Sequence, residues 1–390
     1  MIYLDAAATA PVRRDVLEEM WPLLSTIFGN PSSHHAYGEA AAEALAAARA
    51  RLAVLLGCRP SEVIFTSGGT ESNNLALKGI ALASPRGRHI VTSTIEHPAI
   101  GETLDYLQQF HGFRITRVPV LPTGVLSPAA VDAALEPDTT LCTVMYANNE
   151  VGTVQDIPAL ALVCRRAGVP FHTDAVQAAG WLPLDVSRLG VDALSVSGHK
   201  LGTPKGIGLL YLRAGVRCEA VLHGGGQERG RRSGTENVAG AVGLARAVAS
   251  AQAALPSAAN SSRTSRDSLI GHVLAGVPGA LLTGDGEHRL PNLASFCFPG
   301  VSGEAVLLEL ERRGVVCSSG SACAAGSTEP SGVLLALGID GETAHGALRV
   351  SWTRDTPAAE LEEAARAVVA SVDAVLRLGA AASPVDPVHA

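Results

Sequence analysis

This sequence predicts an α/β fold, with a large domain on a mostly parallel seven-stranded sheet and a smaller α+β domain after it. Three observations lead there. Seven short runs are apolar on both faces, as strands buried on both sides of a parallel sheet must be. Helix-length segments rich in Ala and Leu separate several of these runs. After about residue 235 that alternation gives way to long helical segments and two later strand candidates.

Taken in order, residues 39–57, EAAAEALAAARARLAVLLG, are dense in strong helix formers and stop at Gly57. Strand character follows in EVIFTS (62–67), HIVTST (89–94), RITRVPV (114–120), TLCTVMYA (140–147), VPFHTD (169–174), ALSVSG (193–198) and GIGLLYLR (206–213). Helices are expected between them at 98–111, 127–136 and 156–167. NVAGAVGLARAVASAQAAL (237–255) reads as one helix ended by Pro256, because proline has no N–H to continue the ladder. SSRTSRDSLIGHVLAGV reads as a second helix. LASFCFP (293–299) and GALRVSW (346–352) read as strands, with the helix GEAVLLELERRG (303–314) between them. The expected division is a large domain over 15–255 and a small domain from 1–14 plus 256–378. The Ala/Pro-rich residues 379–390 have nothing to bury and are expected to be disordered.

A net charge of −7 leaves no basic excess to neutralise phosphates, which excludes a nucleic-acid binder. The local cluster Arg229, Arg231 and Arg232 suits one small anion. No stretch approaches 18 uninterrupted apolar residues, so no membrane span is expected. The N-terminus lacks the basic start and apolar run of a secretory signal. Seven scattered cysteines, an odd number, read as free thiols in a reducing cytoplasm.

Ligands of parallel α/β sheets bind beyond the carboxyl ends of the strands, and those ends carry the chemistry here. EVIFTS runs into GGTESNN, where Gly68 and Gly69 would let backbone N–H groups approach an anion and Thr70 could cap the next helix. A plain tight turn reads the same way. HIVTST leads to His97, and TLCTVMYA leads to Asn148, Asn149 and Glu150. VPFHTD ends on Asp174 with Gln177 one turn on, and ALSVSG ends on Ser197 before His199 and Lys200. His172, two residues before Asp174, shares its strand face and would only support it. A partly desolvated lysine is suited to Schiff-base chemistry. A lysine, a carboxylate for a ring nitrogen and a phosphate cup at a helix N-terminus are what pyridoxal phosphate requires.

On these motifs the chain resembles the pyridoxal-phosphate cysteine desulfurases of iron–sulfur cluster assembly, class V aminotransferases of fold type I. YLDAAATAP, FGNPSSHHAYG, EVIFTSGGTESNN, EHPAI, ANNEVGT, HTDAVQ, SGHKLGTPKGIG, HGGGQERGRRSGTEN, SSGSACAAGSTEPS and LRVSWTRDT carry the resemblance in order across nearly the whole chain. It implies that Lys200 forms the aldimine, Asp174 pairs with the pyridine nitrogen, Gln177 meets the ring hydroxyl and His97 stacks on the ring. It implies that Gly69, Thr70, Ser197 and His199 hold the phosphate, with Thr235 reaching the other subunit's site in a homodimer. Asn149 and Arg349 would bind the substrate carboxylate, with Asn30 nearby; an arginine fork matches a carboxylate. Cys323 would be the nucleophile that takes sulfur from L-cysteine as a persulfide and releases L-alanine. It would then pass sulfur to an acceptor such as an iron–sulfur scaffold, in transient contact with a cluster, or a tRNA-thiolation protein. The chain departs from the family at Ala6, where Asn or His is usual, and at Gly202 and Thr203 in the lysine loop.

In CSSGSAC (317–323), zinc would want closer spacing and a second ligand pair, and none is present. No resident metal is expected. Cys317 ends the apolar run GVVC and reads as buried packing. Cys58, Cys142, Cys164 and Cys297 read as core fillers, and Cys218 has no reading. Selenocysteine lyase, or a related aminotransferase or lyase, would share Lys200 and Asp174. A non-catalytic sulfur carrier would need Cys323 alone.

Overall fold

The computed structural model describes residues 1–320 and 329–382, with side chains as far as residue 378. After a two-residue strand β1 (Ile2–Tyr3), the chain builds one sheet from β2 (Val63–Thr66), β3 (His89–Ser93), β4 (Arg114–Val118), β5 (Thr139–Thr143), β6 (Phe171–Asp174), β7 (Ala193–Ser197) and β8 (Gly208–Leu212). These are the seven runs read from the sequence, each trimmed at its ends. Their order is β2-β8-β7-β6-β5-β3-β4. All neighbours are parallel except β8, which is antiparallel to both β2 and β7. Every residue of the sheet is buried except on edge strand β4, where Arg114 and Arg117 face water. Chain direction across the sheet reverses between β3 and β5, which opens a crevice at their carboxyl ends.

A second, three-stranded antiparallel sheet joins β9 (Leu281–Leu282), β10 (Leu293–Cys297) and β12 (Ala347–Ser351) in the order β12-β10-β9. Strand β11 (Val315–Val316) pairs in parallel with β1. Ile2 and Leu4 share the core of this second sheet with Phe296, Leu348 and Trp352.

The helix expected to end at Pro256 does not end there. One helix runs from Val238 to Gly276 with Pro256 inside it. Pro256 is exposed, so water can serve the carbonyl its ring leaves unpaired. Before Pro256, Val238, Leu244, Val248 and Ala251 join the larger core; beyond it, Leu269, Ile270 and Val273 join the smaller one. The helix thus crosses the division drawn at 255/256. It is long and apolar enough to span a membrane, but 56% of its apolar window is buried inside the protein, as in a core helix. The C-terminal helix continues to Ala382, taking in the first four residues of the expected tail.

Gly57 caps its helix in the left-handed conformation, at φ 69°. The departure at Gly202 has a local cause. Its φ is +85°, and a Cβ there would come within 2.5 Å of Arg13 Cγ.

Candidate active site

Past β2, Gly68 and Gly69 turn the chain into the helix Gly69–Ala83. A Cβ on Gly69 would sit 2.7 Å from Val176 Cγ2, so a side chain there would fill the space beside the helix N-terminus. The hydroxyl of Ser197, from the end of β7, faces both glycines. Thr70 does not cap the helix as expected. It lies inside the first turn, Gly68 is the N-cap, and no side chain caps it. Glu71 instead accepts the Ser67 N–H at 2.8 Å and an ion pair from Arg232 at 2.7 Å. Arg229 donates to the Val63 carbonyl, so two of the three clustered arginines are committed within the protein rather than open to an anion.

Asp174 closes β6, 5% exposed. Its Oδ2 accepts from Asn73 Nδ2 at 2.6 Å and its Oδ1 from the Val176 N–H at 2.9 Å. His97 ends the loop after β3, and its Nδ1 accepts the Ala99 N–H at 3.0 Å. That bond leaves the proton of the neutral ring on Nε2. Burial lowers the His97 pKa, the charge of Lys200 lowers it further, and Asp174 acts against both. Lys200, just after β7, donates from Nζ to the Ala7 carbonyl and, at 2.6 Å, to that of Ala8. His199 meets Thr9 Oγ1 at 3.1 Å, and burial first, then Lys200 and Lys205, push its pKa down to about 4. Gln177 Nε2 donates to the Ala7 carbonyl at 3.0 Å.

From the second sheet, β12 delivers Arg349. Its Nη1 donates to the carbonyls of Asn149 (2.9 Å) and Gly320 (3.2 Å), and its Nη2 pairs with Asp5 Oδ1 at 2.8 Å. Gly69, Thr70, His97, Asn149, Asp174, Gln177, Ser197, His199, Lys200 and Arg349 all line one cavity of about 660 Å³.

Two expected site residues stand outside it. Asn30 is exposed and accepts the Ser32 N–H at 2.9 Å; Thr235 is exposed on its own chain. Cys323 lies outside the described residues. His172 bonds Thr143 and Ser195 rather than Asp174, and burial lowers its pKa to about 3, so it is a neutral core residue. Burial pushes the thiols of Cys58, Cys297 and Cys317 up to about 12 and that of Cys218 to about 11, which leaves them protonated and poorly nucleophilic. Sequence reasoning missed Asn73, Asp5 and Glu96. Asn73 is apolar in no pattern and sits one turn into a helix, so only its buried contact with Asp174 reveals it.

The class-V aminotransferase family model matches residues 2–363. Cysteine desulfurase IscS of Dictyoglomus turgidum is 45% identical over 349 residues, 89% of this chain and 88% of that protein. Cysteine desulfurase IscS of Methanosarcina thermophila is 45% identical over 354 residues, 90% of this chain and 87% of its own. A solved NifS-like protein superposes with a TM-score of 0.89 at 37% identity, covering 95% of this chain and 99% of that one. The structure of SspA in complex with cysteine superposes with a TM-score of 0.79, also at 37% identity, over 90% and 98%. The chain belongs to the class-V aminotransferases and, within them, to the cysteine desulfurases.

Proposed function

We propose that the cavity holds pyridoxal phosphate and converts L-cysteine to L-alanine, with the sulfur kept as a persulfide on Cys323. The convergence of Lys200, Asp174 and the Gly69 cradle on one cavity carries this reading. The residues fit the cofactor: a buried carboxylate suits a protonated pyridine nitrogen, a cradle that a Cβ would fill lies at a helix N-terminus, and a lysine amine lines the same space. When bound, pyridoxal phosphate supplies an electron sink for the substrate's Cα.

Asp174, oriented by Asn73, would hold the pyridine nitrogen. Gly69, Thr70, Ser197 and His199 would hold the phosphate, and Gln177 the ring hydroxyl. Neutral His97, with its proton on Nε2, can stack on the ring and exchange a proton there. Arg349 and Asn149 would take the substrate carboxylate. Cys323 forms an S–S bond to the substrate sulfur as the substrate's Cβ–S bond breaks. The carbon side keeps that electron pair and, once protonated, leaves as alanine. The relative solved with cysteine supports cysteine as the substrate.

A homodimer with shared sites, in which Thr235 serves the partner's phosphate, completes the reading. So do a sulfur-accepting protein and a reducing cytoplasm, supported by the six free cysteines among the described residues. Purified protein given L-cysteine and a thiol reductant should release sulfide and alanine in equal amounts, and Lys200→Ala should abolish both. A colourless protein that takes up no pyridoxal phosphate would overturn the reading.

A further inference from the structure

We propose that Asp5 is a positioning residue for substrate recognition: its carboxylate aims the Arg349 guanidinium, and the turn it begins ties that aim to Lys200. The inference rests on reading Arg349 as the residue that binds the substrate carboxylate.

The Arg349 side chain is 3% exposed. A cation so buried needs a fixed counter-charge. The carbonyls of Asn149 and Gly320 offer it geometry without charge. Among the described residues, the carboxylate that pairs with it is that of Asp5, at 2.8 Å. From Asp5 the chain folds into a tight turn. The N–H groups of Ala8 and Thr9 both donate to the Asp5 carbonyl, at 3.0 and 3.3 Å. The Tyr3 hydroxyl clamps the turn by donating to the carbonyls of Asp5 (3.1 Å) and Thr9 (2.9 Å).

The same turn then receives the other half of the site. Lys200 Nζ donates to the carbonyls of Ala7 and Ala8, Gln177 donates to that of Ala7, and His199 meets the Thr9 hydroxyl. One short segment therefore touches both the arginine carried by β12 and the lysine that follows β7. Asp5 has a second consequence. It lies on the arginine that an incoming carboxylate must use, so it also opposes that carboxylate electrostatically.

Calorimetric titration of the cofactor-loaded enzyme with L-alanine and with ethylamine, the same amine without its carboxylate, tests this. Wild type should bind L-alanine more tightly than ethylamine. Asp5→Ala should weaken L-alanine about tenfold or more, and leave ethylamine within about twofold, because Arg349 loses the oxygen acceptor that aims it. Asp5→Asn keeps an oxygen acceptor and loses the opposing charge, so L-alanine should bind more tightly than in wild type with ethylamine unchanged. Equal losses for both ligands in Asp5→Ala, no change for either, or L-alanine binding no tighter than wild type in Asp5→Asn would overturn the proposal. If Asp5→Ala fails to fold, Asp5→Asn decides alone. A wild type that does not distinguish the two ligands would remove the reading of Arg349 itself, a different failure.

Discussion

Glu96, the residue before His97, is a carboxyl group enclosed by the protein. Its Oε1 accepts the Ser93 hydroxyl at 2.5 Å and the Met145 N–H at 3.0 Å, while Oε2 has no partner among the described residues. Burial, with Asp174 nearby, raises its pKa from 4.5 to about 8, so it is mostly neutral at neutral pH. A folded-state pKa above the unfolded value gives stability that is full below the unfolded pKa and lost as pH rises through the folded one. Glu96 should therefore contribute a loss of melting temperature between about pH 5 and about pH 8, set against the gain up to about pH 6.5 from His172 and His199, whose folded pKa values are depressed. Glu96→Gln, with no proton to lose, should flatten that slope, and a slope unchanged in the variant would show that Glu96 does not titrate there. The sequence marks His97 but not Glu96. A residue just past a strand end is readable from position, whereas the fate of its neighbour depends on Met145, 49 residues away. Asp5 and Asn73 were hidden for the same reason, with partners 344 and 101 residues distant.

At the scale of elements, Pro256 sets the clearest test. It costs a helix interior about 3 kcal/mol relative to alanine, yet the helix Val238–Gly276 passes through it because its two halves are each anchored in a core. Pro256→Ala should raise the melting temperature, with a gain of about 1–3 kcal/mol by thermal unfolding. A lower melting temperature would mean that the ring packs usefully. The proline rule failed here because tertiary anchoring overrides local propensity. The seven long strands were legible because runs apolar on both faces recur between helices. Strands β1, β9 and β11 were not, since two residues carry no period to detect. Their partners were equally out of reach: β1 joins β11 across most of the chain.

At the scale of the molecule, the site is built from both sheets, since Lys200 and Asp174 come with the large one and Arg349 with the small one. The proposed homodimer has a candidate face. Leu17, Trp21 and Leu24 lie at helical spacing on Arg14–Ser25 and are 47%, 68% and 61% exposed. Nearby in sequence, the exposed rings of Phe28 and Tyr37 pack 5.4 Å apart. An apolar stripe of this kind suits a second copy of the chain. Trp21→Glu should shift the protein toward monomer in sedimentation, and an intact dimer would place the interface elsewhere. Thr235→Ala should keep the dimer and weaken cofactor retention. In mixed dimers the loss should fall on the partner's site, and a loss on its own site would remove the shared-site reading.

Cys323 is the proposed carrier of the sulfur. The direct test of that role is a single turnover without reductant, in which alanine is counted and the intact chain is weighed. One alanine per site should appear, and the chain should gain the mass of one sulfur atom, mapped to Cys323 and absent from Cys323→Ala. Alanine formed at the wild-type rate by Cys323→Ala, or formed by wild type with no sulfur gained on the chain, would contradict it.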